Sequence, residues 1–153
     1  LLEVDDDIAV AVNVNWLDLW SCRFDDPLSD AETLRMTEDG RILEIGQKTS
    51  SIEEIEAQYM GLIRFKNSGV VLLKAAWASM QDGGERTWMV GRSPNQAYMT
   101  DLLMELIAVG HVVRGVEING GWLEIDTVED YKIYQAMFAD GSINQFYKTE
   151  PGS

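Results

Sequence analysis

Apolar and polar positions follow two periods along this chain, and the switches between them outline its elements. Residues 8 to 14, IAVAVNV, form a β-branched and alanine run that predicts a buried strand. The more mixed NWLDLWSCRFDDP that follows predicts a loop or a short helix. Two alternating runs flank Asp39-Gly40 in AETLRMTEDGRILEIG, which predicts a hairpin over about residues 32 to 45, because glycine accepts the positive φ of a tight turn. SSIEEIEAQ places a glutamate three residues after a serine and predicts a short helical turn, and YMGLIRF reads as the next strand.

The second half turns to helical spacing. NSGVVLLKAAWASMQDGG predicts a helix closed by a double glycine. ERTWMVGRSPNQ, polar and holding Gly91 and Pro94, is expected to be the least structured part. YMTDLLMELIAVG puts Leu102, Leu103, Leu106 and Ile107 on one helical face, with Thr100 and Asp101 near its start and Gly110 as its stop. HVVRGVEI and GWLEI read as strands, and TVEDYKIYQAMFADG as the last helix. The order strand, hairpin, strand, helix, helix, strand, strand, helix predicts an α/β layered domain: a mixed β-sheet flanked by helices, with residues 1 to 153 as a single unit.

Charge narrows the partners. The chain has 26 acidic against 12 basic residues, a formal net charge of −14, and no segregated basic patch. Such a surface repels nucleic-acid polymers and anionic membranes, so neither is an expected partner. A nucleotide remains possible through a divalent cation, which supplies the positive charge that the side chains lack. Cys22 and His111 are the only cysteine and histidine, which removes intrachain disulfides, Cys-rich zinc sites and paired-histidine metal motifs, and fits a reducing, cytoplasmic setting. His111 is assigned no role. The longest apolar stretch, GVVLLKAAWASM, is too short to span a bilayer and carries Lys74. The opening LLEVDDDIAV lacks a methionine and reads as a piece of something longer, its acidic run a solvated turn.

The acids of GGWLEIDTVED, residues 120 to 130, divide into two groups. On a strand, Trp122, Glu124 and Asp126 would share one face, with Leu123 and Ile125 on the core face. Asp126 then closes a strand at its carboxyl end, where ligands collect in such sheets, and a carboxylate pair there suits Mg²⁺. Two acids that simply point into water satisfy the same pattern. Glu129 and Asp130 instead suit a helix start, with Thr127 as N-cap and Asp130 as a capping-box partner.

GGWLEIDTVEDY resembles a strand-to-helix signature of the nucleoside-triphosphate transferase (nucleotidyltransferase) family. LSDAETLRMTEDGRILEIGQK, AQYMGLIRF and YMTDLLMELIAVG follow the order and spacing of its branch that uses CTP on phosphocholine, other small phospho-amines and phosphonates. The likeness runs from about residue 8 to about residue 139. It implies a three-layer, Rossmann-like (glycosyltransferase-A-like) fold. The family's glycine-rich phosphate loop, downstream lysine and first metal-binding aspartate are absent, and the DDD run at residues 5 to 7 is no substitute. The chain is therefore expected to be the carboxy-terminal, acceptor-binding portion, inactive alone.

The resemblance makes Asp126 a catalytic, Mg²⁺-binding carboxylate and Lys48 the catalytic lysine beside the acceptor phosphate. It places Tyr59 and Gly61 in the acceptor pocket, with Met60 more readily read as core, and Trp122 and Glu124 among the substrate-binding residues. Arg23 could meet a phosphate, although a loop arginine is usually solvated. Trp16, Trp20, Tyr59 and Trp122 could offer rings to an ammonium or trimethylammonium group. The implied reaction is transfer of a nucleotidyl group, CMP from CTP by preference, to a small phosphate or phosphonate acceptor with release of pyrophosphate. A sugar-1-phosphate nucleotidyltransferase and a non-catalytic binding module are the alternatives.

Overall fold

The computed structural model describes residues 1–82 and 94–148. The double glycine at 83 and 84, and the segment predicted as least structured up to residue 93, lie outside those residues. Strand β1 (Ile8–Asn13) is buried along its whole length, as a β-branched and alanine run predicts for a central strand. It is flanked by β4 (Gln58–Phe65), antiparallel, and β5 (Arg114–Ile118), parallel. The sheet is mixed, as expected.

The hairpin forms as β2 (Leu34–Met36) and β3 (Ile42–Ile45), turning at Gly40 with φ +80°. It stands as a separate two-stranded ribbon, joined to β5 through a bridge from Arg41 to Arg114 and to the chain ahead of β4 through one from Leu34 to Ile55. Helices α2 (Ser68–Asp82) and α3 (Met99–Ala108) complete this side. Ile8, Val10 and Val12 meet Leu102, Leu103, Leu106 and the hairpin's Leu34, Ile42 and Ile45 in one core. The predicted apolar face of α3 is thus its buried face, with Ile107 at its margin.

A second core lies beside the first. The stretch read as a loop or short helix is helix α1 (Trp16–Arg23). Its Trp16, Leu19 and Trp20 pack against Tyr134 of the last helix, α4 (Val128–Asp140), and against Ile143 and Phe146 beyond it.

Two expectations change. GWLEI is not a strand: residues 121–126 carry no strand pairing among the described residues. Gly120 and Gly121 adopt φ of +71° and +73°, which breaks the extended path after β5, and the Gly121 amide instead donates to the Phe146 carbonyl at 2.6 Å. Leu123 then enters the second core while Ile125 is 59% exposed, so the expected core face is split. The acidic start is also less free than a solvated turn. Asp6 accepts from Arg114 at 2.9 and 3.2 Å, and Asp7 accepts from the Ser68 amide at 3.2 Å at the start of α2. Among the described residues no helix is long and apolar enough to cross a membrane.

The hairpin is docked by a close approach. Gly46, at φ +81°, leaves no room for a side chain, since an added Cβ would lie 2.4 Å from the Thr100 Cβ on α3. Gly141, also at φ +81° after α4, faces open space. Gly46→Ala is therefore expected to cost about 2–4 kcal/mol, strain plus overpacking, against about 1–2 kcal/mol for Gly141→Ala. Urea unfolding of the two variants checks this, and equal losses would contradict the docking assignment.

Candidate functional site

A polar pocket of about 210 Å³ opens where the two cores meet, walled by α1, the hairpin, the start of β4 and the unpaired segment before α4. Its acidic side chains are Asp30, Glu32, Glu124 and Asp126; Trp20, Thr33, Gln58 and Tyr59 complete most of the lining. Local bonds fix the walls. The Trp20 indole donates to Asp30 Oδ2 at 3.0 Å. Gln58 Nε2 donates to the Glu32 carbonyl at 2.6 Å, while its Oε1 accepts from the Glu32 amide at 3.2 Å. Tyr59 is half-buried, and burial raises its phenol above the ordinary value.

The fourth wall depends on Arg23. This arginine ends α1, and its side chain is fully buried. Nε and Nη2 donate to the two oxygens of Asp130 at 2.9 and 3.2 Å, Nη2 also donates to Asp126 Oδ2 at 2.6 Å, and Nη1 donates to Glu124 Oε2 at 3.3 Å. The guanidinium lies 5.2 Å from the Trp20 ring centroid and 4.9 Å from that of Phe24, within cation–π range. Desolvation opposes its charge, but the bonds to Asp130 and Asp126 outweigh that and raise its pKa further. Asp130 is held from the other side by the capping box: Thr127 Oγ1 accepts from the Asp130 amide at 3.1 Å, and Asp130 Oδ2 accepts from the Thr127 amide at 2.9 Å.

These surroundings set the carboxyl groups apart. Burial pushes Glu124 up to about 7, against the pull of Arg23 and with help from the neighbouring Asp126 and Asp30 charges. Burial also works against the Asp130 carboxylate, yet its bonds from Arg23 and Thr127 prevail and hold it at about 2.

Among the described residues, no group of three or more potential ligands could hold a metal ion. Asp126 is 62% exposed along its side chain, and its Oδ2 is engaged by Arg23. Its Oδ1 could serve as a single ligand. That fits a cation that arrives with phosphates, since Mg²⁺ usually takes one or two protein carboxylates and keeps its other positions for phosphate and water. It does not fit an ion held by protein side chains alone.

Several residues singled out in the sequence converge here. Trp20, Tyr59, Glu124 and Asp126 line the pocket, and the exposed Lys48 donates from Nζ to the Asp30 carbonyl at 3.0 Å, which puts it beside the wall. Others fall elsewhere. Gly61 does not line the pocket: it is exposed, at φ +73°, where β4 bulges between its pairings of Ile63 with Val10 and Tyr59 with Val12. Its positive φ serves that bulge. Trp122 is also outside the lining, with its indole nitrogen buried and without a hydrogen-bond partner among the described residues. Met60 is core. Trp16 is buried and donates to the Ile55 carbonyl at 3.2 Å, and Arg23 lies over the Trp20 ring, so these two rings do not form an open cage.

Asp30 and Glu32 are the residues that sequence reading passed over, and Arg23, read there as able to meet a phosphate, meets carboxylates. The available signal was one of charge: four acids within residues 124 to 130 require a counter-charge, and a chain with 12 basic residues offers few candidates.

No protein-family model matches the chain. It is 37% identical over 134 residues to the CTP:phosphoglutamine cytidylyltransferase of Campylobacter jejuni, an overlap covering 87% of this chain and 51% of that protein. The chain thus spans about half the length of the curated relative it matches. Its fold is similar to that of the inositol-1-phosphate CTP transferase from T. maritima, with a TM-score of 0.53 at 17% identity, over 95% of this chain and 49% of that one.

The two shifted carboxyl groups give opposite pH limbs. Asp130 titrates below its ordinary 3.8 in the folded protein, so its contribution is present above about pH 4 and is lost as pH falls through about 2. Glu124 titrates above its ordinary 4.5, so the folded state holds its proton more tightly and loses stability as pH rises from 4.5 to about 7. Glu124→Gln is expected to flatten that neutral limb in urea midpoints measured from pH 4.5 to 8 and to leave the acid limb in place. An unchanged neutral limb would contradict the burial of Glu124.

Proposed function

The chain belongs to the nucleotidyltransferase family, and on that premise we propose that the protein transfers a cytidylyl group from CTP to a small phosphorylated acceptor bearing a primary ammonium group. An oxygen of the acceptor phosphate forms a bond to the α-phosphorus of CTP, the bond from that phosphorus to the β-phosphate bridging oxygen breaks, and pyrophosphate leaves. Because the attacking oxygen is already anionic, this reaction needs positioning and charge neutralisation more than a strong base.

The observation that carries the reading is the chemistry of the pocket wall. Asp30, Glu32, Glu124 and Asp126 bring carboxyl oxygens to one small cavity. A primary ammonium has three hydrogens to donate and is matched by such oxygens. A trimethylammonium group has none and depends on open aromatic faces, yet Trp16 is committed to the core and the Trp20 ring lies under Arg23. The phosphoglutamine in the C. jejuni relative's name is a phosphorylated amino acid, consistent with an acceptor that carries an amino group.

Roles follow from position. The ammonium end of the acceptor enters among the carboxylates, and its phosphate stays at the rim, where Lys48 supplies a positive charge. Mg²⁺ borne by the CTP phosphates would neutralise their developing charge and use Asp126 as its protein ligand. Arg23 holds Asp126 from behind. Tyr59 bounds the cavity with its ring.

The test uses the full-length protein with CTP, Mg²⁺ and a panel of phosphoethanolamine, phosphoglutamine, phosphocholine and inositol 1-phosphate, followed by pyrophosphate release. An amine-bearing acceptor is expected to exceed phosphocholine and inositol 1-phosphate in kcat/KM by about 10-fold or more, the scale of one or two charged hydrogen bonds. Asp126→Ala is expected to lower kcat by about 10²-fold or more while the fold persists. A preference for the polyol or for the trimethylated acceptor overturns the ammonium reading, and near wild-type turnover of Asp126→Ala overturns the metal role.

A further inference from the structure

Glu124 and Asp126 lie on a stretch of chain that the sheet does not hold. Residues 121–126 make no strand pairing among the described residues. The segment is tied at its start by the bond from the Gly121 amide to Phe146, and in its middle by Leu123 in the second core. Packing of Leu123 holds its own side chain and does not by itself place those of Glu124 and Asp126. Arg23 meets both of them, and it meets them from a neighbouring helix rather than from their own segment.

We propose that Arg23 is the positioning residue of this site: it replaces the missing strand pairing by clamping Glu124 and Asp126 onto the pocket wall while anchored to the helix cap through Asp130. The planar fork suits this work. Two of its nitrogens occupy Asp130 in a bidentate pair, which fixes the plane of the guanidinium, and the remaining donor directions then point at Asp126 and Glu124. The Trp20 and Phe24 rings hold the guanidinium in that orientation. A lysine would retain one positive charge in the cluster but lacks a rigid fork, so it cannot hold three carboxyl groups in set directions. Arg23 touches the residues of the wall and not the reacting atoms. The functional consequence rests on the acceptor-site reading above, whereas the clamp itself does not.

Arg23→Lys keeps the buried charge and is the test variant. Amide hydrogen exchange followed by NMR separates local placement from general weakening. The Asp126 and Thr127 amides, which donate to Asp130 Oδ2 at 3.1 and 2.9 Å, are expected to exchange about 10-fold faster or more, while the Gly121 amide and the amides of β1 keep their rates. In the full-length protein the same variant is expected to raise the acceptor KM about 10-fold. Should Arg23→Lys fail to fold, Arg23→Gln, which leaves Asp130 in place as the acceptor of both amides, is carried through the same measurements with the same expectations. Equal acceleration in β1 and at Asp126 would make Arg23 merely structural, and unchanged exchange at Asp126 would assign the placement to Leu123 packing; either result overturns the proposal. An unchanged acceptor KM alongside faster local exchange would instead sink the acceptor reading of the pocket and leave the clamp standing.

Discussion

One buried guanidinium connects what the backbone leaves apart. Arg23 faces Asp130, Asp126 and Glu124 across more than a hundred residues of chain, in the second core beside the α1 and α4 packing. Taking a guanidinium out of water is unfavourable, and only paired carboxylates with good geometry offset it. Asp130 supplies that geometry because the helix cap has already fixed it. The same residue therefore serves two structures at once: one carboxylate closes the first turn of α4 and anchors the arginine. Removing either partner alone would leave a buried charge uncompensated, at a cost of about 3–5 kcal/mol.

That arrangement explains why the site is polar at a junction of two apolar cores. The first core is built on β1, α3 and the hairpin, and the second on α1 and α4. The pocket lies between them, lined on one side by the hairpin end of the first core and on the other by the segment at 121–126, whose Leu123 packs in the second. Its walls are acidic, in keeping with the chain's net charge of −14, so the cavity repels anions and favours a cationic group. Lys48 lies beside this wall, donating to the Asp30 carbonyl.

Much of this was legible in the sequence, and the illegible part has a physical cause. The buried run of β1, the Asp39-Gly40 turn, the apolar face of α3 and the Thr127–Asp130 capping box are local patterns, and each formed where its spacing placed it. GWLEI alternates like a strand, yet alternation says nothing about whether a partner strand lies beside it. Two left-handed glycines took this segment out of the sheet. Asp126, read as a metal ligand, and Tyr59, read as an acceptor-pocket residue, both line the cavity, whereas Gly61 answers to the β4 bulge and Trp122 lies outside the lining. Arg23 was hidden because a single arginine after a mixed segment looks solvated, and its three partners are 101 to 107 residues away.

The site holds together only if Arg23 and Asp130 act as one buried unit, and a double-mutant cycle measures that directly. Urea unfolding free energies of wild type, Arg23→Met, Asp130→Asn and the double variant give the coupling. The predicted result is a double variant more stable than Arg23→Met alone and a coupling of about 2 kcal/mol or more, because the second substitution removes the orphaned carboxylate left by the first. Additive losses, with coupling under about 0.5 kcal/mol, would contradict the claim that this pair holds the site together.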